Sequence, residues 1–187
     1  MTSAEQIEET FREEALTCLD GLYGYAMSLS HNQTEADDLV QETYLRAVRA
    51  FDQLAPGSNL KSWLYTILRN AWLNQIRHTH SGPQFVEMDD EQQQGVMGQV
   101  RSDDDPHASY VAKVERDSVR AAVQKLPIPY REVIMLREFE GLSYQEIAAI
   151  LNCPVGTVMS RLGRAREKLR LLLSVLSERI PTRGKGP

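Results

Sequence analysis

The sequence predicts an all-α fold: two small helical domains joined by a flexible acidic linker. Three observations predict it. Apolar residues recur at spacings of three and four, the helical period, on both sides of residues 81–107. No segment alternates apolar and polar residues as a convincing strand would. Between the periodic parts, SGPQFVEMDDEQQQGVMGQVRSDDDPH is rich in Gly, Gln and Asp and loses the pattern, as a tether does. The domains are therefore placed at 1–80 and 115–187, with the linker at 81–114.

The first helix is expected from about Ile7 to Ser30, with Phe11, Ala15, Leu19 and Leu22 on one side. In DDLVQETYLRAVRAF, residues Val40, Tyr44, Ala47, Val48 and Phe51 form an inward stripe, and Thr34 with Asp37 echoes a capping box. That stripe leaves Asp38, Leu39, Gln41 and Glu42 outward, an acidic surface with one apolar knob. APGS at 55–58 breaks the pattern as a loop. A third helix, about Leu60 to His78, buries Leu60, Leu64, Ile67, Leu68 and Ala71 and sets Trp63, Thr66, Asn70 and Arg77 on the opposite side.

Four helical segments follow the linker. The first, about Ala108 to Leu126, is stopped by Pro127 and Pro129. The second runs from about Tyr130 to Glu140 and ends at Gly141. The third opens at Ser143, whose capping box is completed by Glu146, and closes near Asn152. The fourth starts around Pro154 and reaches about Glu178. Its inner stripe, Val158, Leu162, Ala165, Leu169 and Leu172, is spaced 4, 3, 4, 3.

The 187 residues are 42 % hydrophobic and 25 % charged, a globular balance. No apolar run is long enough to span a membrane, and the acidic N-terminus is unlike a signal peptide, so a cytoplasmic protein is expected. Cys18 and Cys153 could form at most one disulfide, which that setting disfavours. His78 and His80 are a weak metal signal against a solvated helix end. Paired catalytic carboxylates, a nucleophile beside a His and a phosphate loop are all lacking, so neither an enzyme nor a cofactor is expected.

The net charge of −5 is unevenly spread. Residues 1–80 hold 6 basic and 11 acidic side chains, residues 81–114 hold 2 and 7, and residues 115–187 hold 13 and 8. Five of the 21 basic residues lie between Arg161 and Arg170. A short capped helix, an Asn-Cys-Pro turn and a long basic helix make the pattern of a DNA-binding helix-turn-helix. Its long helix offers Thr157, Met159, Ser160 and Arg164 near the N-terminus for a major groove, where Arg reads guanine edges and hydroxyls bind phosphate. Arg161, Arg164, Arg166, Lys168 and Arg170 would neutralise phosphates.

GLSYQEIAAILNCPVGTVMSRLGRAREKLR and the preceding LPIPYREVIMLREFEGLS closely resemble the C-terminal domain of bacterial extracytoplasmic-function (ECF) sigma factors of the sigma-70 family. DDLVQETYLRAVRAFDQL and LKSWLYTILRNAWLNQIR resemble that family's first domain, so the likeness covers about residues 10–80 and 115–175. It implies a dissociable subunit of RNA polymerase, with sigma region 2 at 1–80 and region 4 at 115–187. By resemblance, Asp38, Leu39, Gln41 and Glu42 dock the clamp coiled coil of the β′ subunit, and the C-terminal domain approaches the β flap.

The resemblance also implies that the third helix and the loop before it capture a flipped base of the −10 promoter element. Leu54, Ser58, Asn59, Trp63, Thr66, Asn70 and Arg77 are the residues so placed. Asn70 is an amide able to read a base edge, and Trp63 is either core or a stacking platform. The fourth C-terminal helix would read the −35 element through Thr157, Met159, Ser160, Arg161, Arg164, Arg166 and Lys168. Met159 stands where some relatives carry Arg or Lys. The linker would thread toward the RNA path or serve simply as a tether. An anti-sigma factor is the expected regulator. The competing readings are a dimeric helix-turn-helix regulator, which leaves the first domain unassigned, and a sigma-like decoy, which would lack the basic helix or Asn70.

Overall fold

A computed structural model describes residues 11–54, 57–79 and 116–178. The linker expected at 81–114 and the beginning of the helix expected at Ala108 lie outside the described residues, as do Ile7 and His80. Every element described is helical. Residues 11–17 form α1, followed by α2 (Leu19–Ser30), α3 (Gln33–Ala50), a single 3-10 turn (Phe51–Gln53) and α4 (Leu60–Thr79). Residues 116–124 form α5, then come α6 (Ile128–Ile134), a π-helical turn (Met135–Phe139), α7 (Tyr144–Leu151) and α8 (Val155–Glu178). No described helix is long and apolar enough to cross a membrane. Both cysteine thiols are free.

The first cluster packs α2, α3 and α4 around Leu22, Tyr25, Leu64, Tyr65 and Leu68. The expected single first helix is broken at Cys18, where the backbone turns between α1 and α2. Phe11 and Ala15 are buried as expected, whereas Leu19 is exposed. Asn32, rather than Thr34, caps α3: its side-chain oxygen accepts the Glu35 amide proton at 3.2 Å.

The stripe of α3 is also rotated from its expected position. Ala36, Leu39, Val40, Thr43 and Ala47 face the core, with Leu39 only 3 % exposed, while Val48 is 51 % exposed. Thr43, polar in a sequence reading, lies on that buried face. Its hydroxyl donates to the Leu39 carbonyl at 2.7 Å, so a nominally polar side chain sits in the core with its hydrogen bond made. The outward knobs are Leu45 and Val48. α4 matches expectation closely, with Leu60, Leu64, Leu68 and Ala71 buried and Ile67 partly so.

In the second cluster, α6 begins at Ile128, two residues earlier than expected, because Pro129 fits the first turn of a helix. It closes through the π turn, whose wider spiral appears in the Glu140 amide donating to the Met135 carbonyl five residues back. Gly141, at φ 71°, ends it. The capping box of α7 forms as expected: the Glu146 amide donates to Ser143 Oγ, and the Ser143 amide donates to the Glu146 carboxylate at 2.7 Å. Those bonds hold the Glu146 carboxyl below its ordinary pKa, with smaller help from Asn59 and Lys61. Asn152, left-handed at φ 47°, ends α7. Val158, Leu162 and Ala165 of α8 are buried, and Leu169 and Leu172 pack at the margin.

The two clusters pack against each other, and their apolar residues form one continuous core. Polar groups run along the seam. Glu132, 3 % exposed, accepts from Arg69 Nε at 2.7 Å and from the Tyr25 hydroxyl at 3.1 Å. Burial, and next the Glu132 charge, push the Tyr25 hydroxyl well above its ordinary pKa. Arg131 donates to the Ser28, Gln124 and Leu126 carbonyls and lies against His31. Burial first, then that guanidinium, hold His31 below the usual imidazole pKa. Lys61 Nζ reaches both the carbonyl and the carboxylate of Glu140, at 2.8 and 3.0 Å.

Candidate functional site

Three surfaces carry the residues singled out in the sequence. The first is the outer side of α4 and the chain leading into it. Asn59 caps α4, its side-chain oxygen accepting the Ser62 amide proton at 3.1 Å, while its Nδ2 donates to the Glu146 carboxylate of α7. Thr66 donates to the Ser62 carbonyl at 2.9 Å, which occupies its hydroxyl proton and leaves the oxygen able to accept. Trp63 is half-buried, its ring edge-on to Phe11 with centroids 6.4 Å apart. It therefore contributes to packing while still bordering an open cleft.

That cleft, of about 420 Å³, brings Leu54, Ser58, Asn59, Trp63 and Thr66 together and is closed on its far side by Gln145, Glu146 and Ala149 of α7. Asn70 lies outside it. The Asn70 side chain is exposed and makes no hydrogen bond among the described residues, so both its donor and acceptor are available. Arg77 is exposed beyond it, donating to Asn74 at 3.2 Å.

The second surface is α8. Thr157, Ser160 and Arg164 share one flank at helical spacing, with Ser160 and Arg164 exposed and Thr157 half-buried. Arg161 is half-buried beside them, and Met159, 55 % exposed, stands on the other flank. The basic residues are not equivalent. Arg166 is engaged with Glu138 at 2.6 Å, and that partner raises its pKa. Lys168 sits over the Tyr130 ring, 5.9 Å from its centre. Of the basic residues expected to meet phosphate, Arg166 thus faces the π turn and Lys168 faces α6. Both members of the Arg166–Glu138 pair are about half-exposed, so water screens the pair and it contributes little to stability.

The third surface is a groove of about 340 Å³ between α3 and the end of α4. Asp38 and Glu42, expected on an outward face, line it, and Gln41 is exposed nearby. Leu39, expected as an outward knob, only floors it. The α4 wall, Asn74, Gln75 and His78, was not singled out in the sequence, although its spacing from Ala71 puts all four on one side of α4. Arg46 narrows the groove by pairing with Glu42 at 2.6 Å. Among the described residues no group of His, Cys, Asp and Glu is arranged to hold a metal ion.

Taken together, the surfaces offer an acidic groove, an exposed amide beside a cleft, and a basic helix flank. Comparison with known proteins matches the same stretches of chain. A family model described as sigma-70 region 2 matches residues 16–81, and one described as sigma-70, region 4 matches residues 116–169. The ECF RNA polymerase sigma factor EcfG of Rhodopseudomonas palustris is 40 % identical over 169 residues, covering 90 % of this chain and 88 % of that protein. The RNA polymerase sigma-H factor of Pseudomonas aeruginosa is 32 % identical, covering 83 % and 81 %. Among solved structures, the Bartonella quintana sigma factor RpoE, in complex with the anti-sigma factor NepR, superposes with a TM-score of 0.70 at 34 % identity. That match covers 89 % of this chain and 98 % of that one. CnrH, in complex with the cytosolic domain of CnrY, superposes with a TM-score of 0.61 at 28 % identity, covering 89 % of both.

Proposed function

Because the chain belongs to the ECF sigma factors of the sigma-70 family, we propose that it is an alternative sigma factor that brings core RNA polymerase to promoters read at −35 and −10. The observation that carries this reading is the presence of both sigma regions, in order, on one chain whose exposed surfaces fit separate partners. A sigma factor is a specificity subunit and needs no catalytic group of its own.

Asp38, Gln41 and Glu42, with the α4 wall of the same groove, form the docking surface for the β′ clamp coiled coil. The exposed apolar residues Leu45 and Val48 extend that surface. Asn70 reads a −10 base by hydrogen bonding, and the cleft from Leu54 to Thr66 receives an extruded base. Thr157, Ser160, Arg161 and Arg164 enter the −35 major groove, with Arg166 and Lys168 recruited to phosphate. The C-terminal domain approaches the β flap. An anti-sigma factor holds the protein inactive, a role supported by the partner-bound relatives of known structure.

Asn70→Ala is the discriminating substitution. It is expected to leave binding to core polymerase unchanged and to reduce open-complex formation, measured by permanganate reactivity of unpaired thymines. Losing one good base-edge contact corresponds to about 1–3 kcal/mol. Loss of core binding with normal opening would show that this face docks polymerase rather than DNA.

A further inference from the structure

A recognition helix meets base edges with its first turns. In α8 those turns carry Val155, Gly156, Met159 and Ser160, all exposed and none charged. Val155 and Met159 stand one turn apart on a single flank, 36 % and 55 % exposed. Helical side chains lean toward the N-terminus, which carries Met159 over Val155 and Gly156. A Cβ at Gly156, or at Gly163 one turn beyond Met159, would meet no atom within 4 Å, so the helix surface is open at both positions. Ser160 donates its hydroxyl proton to the Thr157 carbonyl at 3.0 Å and keeps only its capacity to accept. The leading end of α8 thus presents hydrocarbon and one acceptor, whereas its charged donors, Arg161 and Arg164, follow on the other flank.

We propose that this apolar flank reads thymine: Met159, with Val155 beside it, covers the C5-methyl group of a T·A pair in the −35 element, an assignment that rests on α8 binding the −35 duplex. The thymine methyl is the apolar group that base pairs present in the major groove, so an uncharged hydrocarbon turn discriminates by burying it. The adjoining Ser160 oxygen, an acceptor only, suits the adenine amino group of such a pair. Methionine fits the task because its unbranched thioether adapts to an irregular surface. Charge identifies the occupant as nucleic acid: Arg161, Arg164, Lys168 and Arg170 lie along the same helix, and a cationic surface of this kind attracts phosphate. The two flanks of α8 then divide the readout, with hydrogen bonds from Arg161 and Arg164 on one side and hydrocarbon contact on the other.

Deoxyuridine in place of thymidine deletes that methyl group and leaves base pairing intact, so the contact is testable without altering the protein. Holoenzyme reconstituted from core polymerase and this chain is bound to duplexes carrying the −35 element of a mapped promoter. Each thymine is replaced in turn by deoxyuridine, and affinity is read by fluorescence anisotropy. The wild type is expected to lose about fourfold in affinity at one position, the worth of one buried methyl-sized group. Met159→Ala, verified as folded by circular dichroism, is expected to bind the thymine duplex more weakly and to lose its sensitivity to that replacement. Equal wild-type affinity for thymine and deoxyuridine at every position would overturn the proposal, as would a −35 element without thymine. A Met159→Ala protein that keeps the full preference for thymine would overturn it too. Failure of the −35 reading itself looks different: the holoenzyme would not prefer the −35 sequence over a scrambled duplex, and the methyl contact would fall with it.

Discussion

Replacing Arg131 by alanine is expected to cost about 3 kcal/mol of folding stability, near the upper end for a single substitution. The side chain is 6 % exposed and its guanidinium donates to three carbonyls, at Ser28, Gln124 and Leu126. Those acceptors come from the end of α2, the end of α5 and the turn into α6, so one residue fastens three chain segments. Hydrogen bonds from a charged donor to buried carbonyls are the stronger kind, and their loss strands acceptors that water reaches poorly. For a chain of this size the loss corresponds to a fall in melting temperature of roughly 6–12 °C. Thermal unfolding followed by circular dichroism measures it. A fall of a degree or less would mean that water substitutes fully for the guanidinium.

The same site has a pH signature. His31 touches Arg131 and its folded pKa is depressed, so the folded chain binds a proton there less readily than the unfolded chain. Stability from this contact is present above the unfolded histidine value, near 6.5, and is lost as pH falls below it. Arg131→Ala is expected to blunt that acid-side loss as well as lower the plateau.

The second large effect is expected at Arg164. On the proposed reading, Arg164→Ala weakens binding to a −35 duplex by about 1–3 kcal/mol, a fold-change between roughly 5 and 150. It also lowers the slope of log affinity against log salt by about one unit if the lost contact is to phosphate. Arg164 is exposed, and its position on α8 aligns it with Ser160 and Thr157. Fluorescence anisotropy across a salt series separates base reading from phosphate binding: a base contact relaxes preference at one position, and a phosphate contact weakens all sequences alike. An unchanged affinity would remove this flank of α8 from the DNA interface.

Local signals in the sequence were sufficient for most of the helices. Ser143 and Glu146 sit three residues apart, so their reciprocal cap was legible and it forms. The stripe from Val158 to Ala165 was legible for the same reason: helical packing repeats within one turn. The rotation of α3 was not, because Thr43 counts as polar until its hydroxyl is seen bonded to the Leu39 carbonyl. With Thr43 counted among the inward residues, Leu39 falls on the buried face and Val48 on the exposed one.

The seam was beyond local reasoning altogether. Glu132 meets partners 107 and 63 positions away, and Lys61 meets Glu140 across 79. In a linear reading each of these looks like an ordinary surface charge. The same holds for Arg166 and Lys168, whose basic character was plain although their neighbours Glu138 and Tyr130 were not. Chemistry that resides in one helix face can be read from spacing. Chemistry assembled between distant helices depends on how the clusters pack.

Run-off transcription with purified core polymerase and genomic promoter fragments is the most direct test of the central claim. The account predicts discrete transcripts that depend on this chain and arise from start sites sharing common −35 and −10 sequences. A chain that binds duplex DNA by itself, fails to associate with core polymerase and yields no transcripts would contradict it.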